Sequence, residues 1–154
     1  GPRRPMLLGS FIVMLAFLVM LPTNVMRETY LILMGVGYAL FGLGLACYAT
    51  PSTDAALSTL PPKESAAGSG IYKMASSLGS AFGIAVSSAI YYGLLSGSGQ
   101  QLAPDNSFFN QIFIGEQSNL VFRQSAMIAM AYNIFIVLLA IVVISITVPK
   151  QSKK

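Results

Sequence analysis

The 154-residue chain has no histidine, no tryptophan and a single cysteine, Cys47. One thiol rules out a disulfide framework and a cysteine-rich metal site, and without histidine the other common metal and nucleophile arrangements lack a member. Charge is also scarce: 9% of residues are charged, and the five acidic ones, Glu28, Asp54, Glu64, Asp105 and Glu116, all stand outside the long apolar runs. Asp54 has no second carboxylate or histidine at a useful spacing, so no general acid/base pair can be drawn. No catalytic residue, metal or cofactor is expected, and the chain does not read as an enzyme. Its net charge of +4 is spread over the ends of apolar runs and forms no stripe, which argues against a nucleic-acid partner.

What is abundant is hydrocarbon. With 55% apolar residues, too little polar surface remains to cover a water-soluble core, so the lipid bilayer must be the solvent. Four apolar runs approach the roughly 20 residues that cross a bilayer: 6–21, 30–49, 70–95 and 126–148. The remainder divides into a lead at 1–5, a loop at 50–69, a loop at 96–125 and a tail at 149–154. Arg3 and Arg4 before a short first run would also suit a signal peptide, but no small-x-small cleavage site precedes Thr23. A span opening at Pro5, a residue favoured in the first helical turn, fits better. Arg3, Arg4, Lys63, Lys73, Lys150, Lys153 and Lys154 fall at the two termini and the middle loop, whereas Arg27 and Arg123 in the other loops are partly offset by Glu28, Asp105 and Glu116. The positive-inside rule then puts both termini and the 50–69 loop in the cytoplasm and the 96–125 loop outside. The fold class is all-α, a polytopic membrane protein with four transmembrane helices.

The second run carries Gly35, Gly37, Gly42 and Gly44, interleaved with Tyr38, Phe41 and Tyr48. Glycines in a membrane helix mark close packing or a bend. The alternative is a cavity-lining helix whose aromatics touch an apolar substrate, which makes Tyr38, Phe41 and Tyr48 cavity candidates. Pro51 is expected to end this helix, since it lacks an amide donor and disfavours helical geometry at Thr50. Thr53 or Asp54 would then cap a short helix through Leu60, stopped by Pro61–Pro62, with Ser65 capping the next span. Asp54 serves as a cap or forms a gating salt bridge with Lys63.

The third run is unlike a lipid-facing helix. Ala75, Gly79, Gly83 and Ser87 recur every four residues, a small-xxx-small row that lets backbones approach closely. A broad polar sector holds Lys73, Ser76, Ser77, Ser80, Ser87, Ser88 and Tyr91, opposite Leu78, Phe82 and Val86. Polar membrane residues turn toward a bundle interior or wet cavity, so Lys73, Ser77 and Ser80 join the cavity candidates. Lys73 could equally snorkel to the headgroups or pair with carbonyls, and the serines could be interhelical glue. In the lipid-like fourth run, Asn133 is expected to hydrogen-bond between helices. Within the 96–125 loop, Phe108, Phe109, Ile112 and Phe113 suit one face of a short helix, while residues 111–122 also suit two strands about a turn; either could cap an exit or be an insertion without a transport role.

The stretches GLGLACYATPSTD (42–54) and GIYKMASSLGSAFG (70–83) resemble the fourteen-span drug:proton antiporters of the major facilitator superfamily, in particular the quinolone and multidrug exporters of staphylococci. GPRRPMLLGS (1–10) is similar to the family's basic cytosolic turn before its eleventh span. The resemblance covers the whole chain and implies the last four helices of such a carrier, which puts both termini inside, as the charge distribution does independently. It implies a bacterial cell (plasma) membrane location and export of small hydrophobic or amphipathic drugs, with the remaining N-terminal spans as partner. Relatives often have Arg at the place of Ser76, and some have acidic residues matching Tyr72, Lys73 and Ser77. The apolar runs here contain no carboxylate, so protons would pass through residues outside this chain. The lack of an initiator Met at position 1 adds the expectation of a piece of a longer carrier. Two other classes fit the four runs: a non-transporting four-span assembly or accessory protein, and a small dimeric four-span exporter, though the latter would need an intramembrane carboxylate of its own.

Overall fold

A computed structural model describes residues 2–58, 60–97 and 119–148. Of these residues 88% are helical and none lies in a strand. Four helices, each long and apolar enough to cross a membrane, follow in order: α1 (Arg3–Met20), α2 (Arg27–Leu57), α3 (Ser65–Gly97) and α4 (Leu120–Thr147). α1 packs on α2 and α4, α4 also packs on α3, and α2 meets α3.

α1 is the centre of the packing because one of its stripes is small or flexible. Met6, Gly9, Ser10, Val13, Ala16 and Met20 are buried, and their three-to-four-residue spacing is that of a single helix face. The matching face of α2 carries the buried Gly37 and Gly44. A Cβ built on Gly9 would lie 2.7 Å from the Gly44 carbonyl oxygen and 2.9 Å from the Tyr48 amide nitrogen. One built on Gly44 would lie 2.9 Å from both the Gly9 carbonyl and the Val13 amide. Bare backbone meets bare backbone, which is how helices adhere where lipid supplies little hydrophobic drive between them.

Two arginines tie α1 and its neighbours to opposite ends of α4. The Arg3 guanidinium donates to the Ser145 carbonyl at 2.8 Å, satisfying an acceptor near the negative end of the α4 dipole. At the other end, Arg123 donates to the carbonyls of Thr23 and Val25 at 3.3 and 3.0 Å, and the Thr23 hydroxyl donates back to the Arg123 carbonyl at 2.8 Å. α4 is preceded by Asn119, which holds the left-handed φ of 65° that asparagine tolerates better than most residues. Several other polar side chains are satisfied within their own helix. Ser10, Thr53, Ser145 and Thr147 donate to the carbonyl four residues earlier, as groups with no water to bond must.

The helix limits differ from those expected, chiefly around Pro51. α2 runs through this proline to Leu57 instead of ending before it, so there is no separate short helix capped by Thr53 or Asp54. The ring removes the amide donor that the Cys47 carbonyl would accept, and the Thr53 hydroxyl adds a back-bond to the Ala49 carbonyl beside it. The extra turns also gain partners, since Ser52 is buried and its hydroxyl lies 2.8 Å from that of Tyr72 on α3. Pro61 and Pro62 lead into α3 instead of stopping a preceding helix, and the Glu64 amide already donates to the Pro61 carbonyl at 2.9 Å. The Ser65 hydroxyl donates back to the Pro61 carbonyl and does not accept from a helix amide. α4 starts at Leu120, six residues before the expected 126. The helix-or-hairpin reading of Phe108, Phe109, Ile112 and Phe113, and the 149–154 tail, lie outside the described residues.

Candidate functional site

The residues singled out on α2 and α3 separate into engaged and open groups. Phe41 sits in the α1 contact, its ring edge-on to Phe17 with centroids 5.7 Å apart and planes at 62°. Tyr48 offers its backbone and Cβ to Gly9 in the same seam. Tyr38 lies off that seam and is 60% exposed. Of the three aromatics, Tyr38 is the most open to a molecule beyond this chain, while Phe41 and Tyr48 are half-buried.

α3 is open over most of its length. Ala75, Gly79, Gly83, Lys73, Ser77 and Ser80 are all exposed, and a Cβ built on Gly79 or Gly83 meets nothing within 4 Å. Large apolar neighbours on the other side of the helix are just as bare, with Phe82 70% exposed. The Ser80 hydroxyl donates to the Ser77 carbonyl at 2.9 Å, hiding its polarity along the helix axis. The small-residue row is engaged within the chain at its last member: Ser87 accepts a 3.1 Å hydrogen bond from the Asn133 amide of α4, which also donates to the Ala129 carbonyl at 3.0 Å. The expected interhelical bond of Asn133 is thus present. Asp54, in the last turn of α2, and Lys63, in the following turn, are both exposed at the same end of the bundle. The Asp54 carbonyl accepts the Ser58 amide at 2.9 Å, so its backbone closes a helix and does not open one.

Several contact residues carried no sequence signal of their own. Gly9 and Ser10 lie within an apolar run, and the facing Gly44 shows what Gly9 is for. Ser52 and Tyr72 are ordinary residues twenty positions apart, joined by the turn between α2 and α3. Arg123 counted only as a loop charge, although a lone arginine just inside a membrane helix has few acceptors except another segment's carbonyls. Among the described residues no group of three His, Cys, Asp or Glu side chains could hold a metal.

No family model matches the chain. It is 35% identical over 152 residues to the quinolone resistance protein NorB of Staphylococcus aureus strain bovine RF122 / ET3-1, and equally to those of strains MRSA252 and JH9. Each alignment takes in 99% of this chain and 28% of the relative's length, in the relative's C-terminal part. Over its whole length the chain is thus related to the C-terminal part of NorB, and it is a multi-pass membrane protein by its four helices.

Proposed function

We propose that this chain forms the last four spans of a proton-coupled multidrug efflux transporter that exports small amphipathic drugs, quinolones among them, by alternating access in a bacterial plasma membrane. The observation that carries the reading is the end-to-end similarity to the C-terminal part of NorB. Both termini are cytoplasmic in this reading, because the basic residues gather at the termini and the middle loop. The role is transport and not enzymatic catalysis.

The division of labour follows from which faces are used. α1, α2 and α4 are bound together by glycine contacts and arginine ties, and move as one body. α3 keeps its Gly and Ala row open, suited to a close, sliding contact with the opposite bundle as that bundle rocks. Tyr38 and the Lys73, Ser77 and Ser80 sector face the drug path, and Asp54 and Lys63 act at the cytoplasmic gate. Lys73 is the one charged residue inside the apolar runs, so the proton is carried by carboxylates in the preceding spans. Gly79→Leu and Gly83→Leu in the full-length carrier place a branched side chain on the sliding face. Efflux of a fluorescent quinolone should stop while membrane abundance is kept, whereas Leu78→Val on the opposite face should leave it intact. Unchanged efflux with leucine at both glycines would remove the sliding-contact claim.

A further inference from the structure

Toward the far end of the α3 polar sector, a cleft of about 290 Å³ opens between α3 and α4, lined among the described residues by Ser87, Ser88, Tyr91, Tyr92, Met130, Asn133 and two alanines. None of the residues singled out for the drug path lies in it. We propose that this cleft binds a small uncharged amphipathic aromatic compound of one or two rings, admitted sideways from the lipid leaflet at the end of the bundle away from the 58–64 turn. The inference stands on the cleft alone and does not require the transport reading.

The lining has the composition of a ligand site more than of a helix seam. It combines an apolar floor with a few converging polar groups, the pattern of small-molecule pockets, and polar groups at membrane depth need a partner. Asn133 uses its amide hydrogens on Ser87 and Ala129, which leaves its carbonyl oxygen able to accept and the Ser87 hydroxyl able to donate. A ligand carrying both a donor and an acceptor can use the two together. Tyr91 and Tyr92 stand edge-to-face, centroids 5.2 Å apart at 76°, and present ring surface for a third aromatic. Among the described residues no lining side chain is charged, so a charged ligand would lose its hydration without an ion partner there. The volume is at the lower end of the range for small-molecule sites, which limits the occupant to one or two rings.

Depth supports entry from lipid. At a rise of about 1.5 Å per residue, Tyr91 and Ala126 lie about 9 Å from the nearer ends of their helices. α3 has 33 residues, or about 50 Å, against about 30 Å of hydrocarbon. Centred on the hydrocarbon, it would extend about 10 Å past it at either end, which puts the cleft near the boundary where amphipathic aromatics concentrate.

The chain has no tryptophan, so one introduced at the cleft is a unique reporter. The 154-residue chain, reconstituted in phosphatidylcholine vesicles, is prepared with Tyr92→Trp and, as a lipid-facing control near the same end, Phe122→Trp; these positions are 63% and 52% exposed. Each is titrated with 6-bromo-2-naphthol, an uncharged two-ring heavy-atom quencher. Quenching should saturate for Tyr92→Trp and rise linearly for Phe122→Trp. Adding Ser88→Leu, which fills the cleft and leaves the Asn133–Ser87 bond in place, should abolish saturation, and Asn133→Leu should weaken the midpoint at least fivefold at unchanged helix content. Linear quenching at both positions, or saturation unmoved by Ser88→Leu, overturns the proposal.

Discussion

Replacing Gly9 by alanine adds one methyl group where the α1–α2 seam has no room. The new Cβ would stand 2.7 Å from the Gly44 carbonyl oxygen and 2.9 Å from the Tyr48 amide, both main-chain atoms with no rotamer to escape into. Restoring an ordinary contact of about 3.4 Å requires the helices to part by about 0.7 Å, and a radial gap of that size forfeits a quarter to a half of each dispersion contact along the seam. Overpacking of this kind costs about 1–3 kcal/mol, so a loss near 2 kcal/mol is expected. Gly42→Ala is the matched control, on α2 with nothing within 4 Å of its Cβ, and should be neutral or slightly stabilising. The assay is an SDS titration in mixed micelles followed by the near-ultraviolet dichroism of the tyrosines. Gly9→Ala within 0.5 kcal/mol of the parent, or Gly42→Ala equally harmful, would refute close backbone packing as the source of cohesion.

The remaining predictions use the same titration unless stated. Arg123→Ala should cost about 2 kcal/mol, since hydrogen bonds to a charged donor are worth about 1.5–3 kcal/mol and two neighbouring carbonyls lose theirs, while Arg4→Ala, exposed at the start of α1, should cost almost nothing. Ser52→Ala and Tyr72→Phe should each destabilise by about 1 kcal/mol, and the double variant by little more than either; full additivity would mean that the hydroxyls do not pair. Pro51→Ala should leave far-ultraviolet helicity unchanged because α2 already continues through this position; a clear gain in helix would place a break there.

The four spans were legible because the bilayer allows only one solution for an apolar run of this length, a helix with its backbone bonds closed internally. The limits of α2 were not, because Pro51 was judged by its local cost alone. The Ser52–Tyr72 contact favours the continued helix, and it is tertiary. The small-residue rule read α3 as a packing helix along Gly79 and Gly83, yet these are open, and the glycines that pack within this chain are Gly9, Gly37, Gly44 and, at the start of α3, Gly68. Spacing shows that a helix can approach a neighbour closely, not which neighbour it meets. The α3–α4 cleft escaped notice for a similar reason: its polar groups come from two helices far apart in sequence, and only their juxtaposition makes a site.

The central claim is tested most directly by exchanging the matching C-terminal part of Staphylococcus aureus NorB for this chain and measuring proton-gradient-driven quinolone efflux in membrane vesicles. With the exchanged protein present at parental abundance, the account predicts efflux that collapses with the gradient, and none from vesicles holding this chain alone. Gradient-driven efflux by the chain alone, or its complete absence from the folded exchange protein, would contradict it.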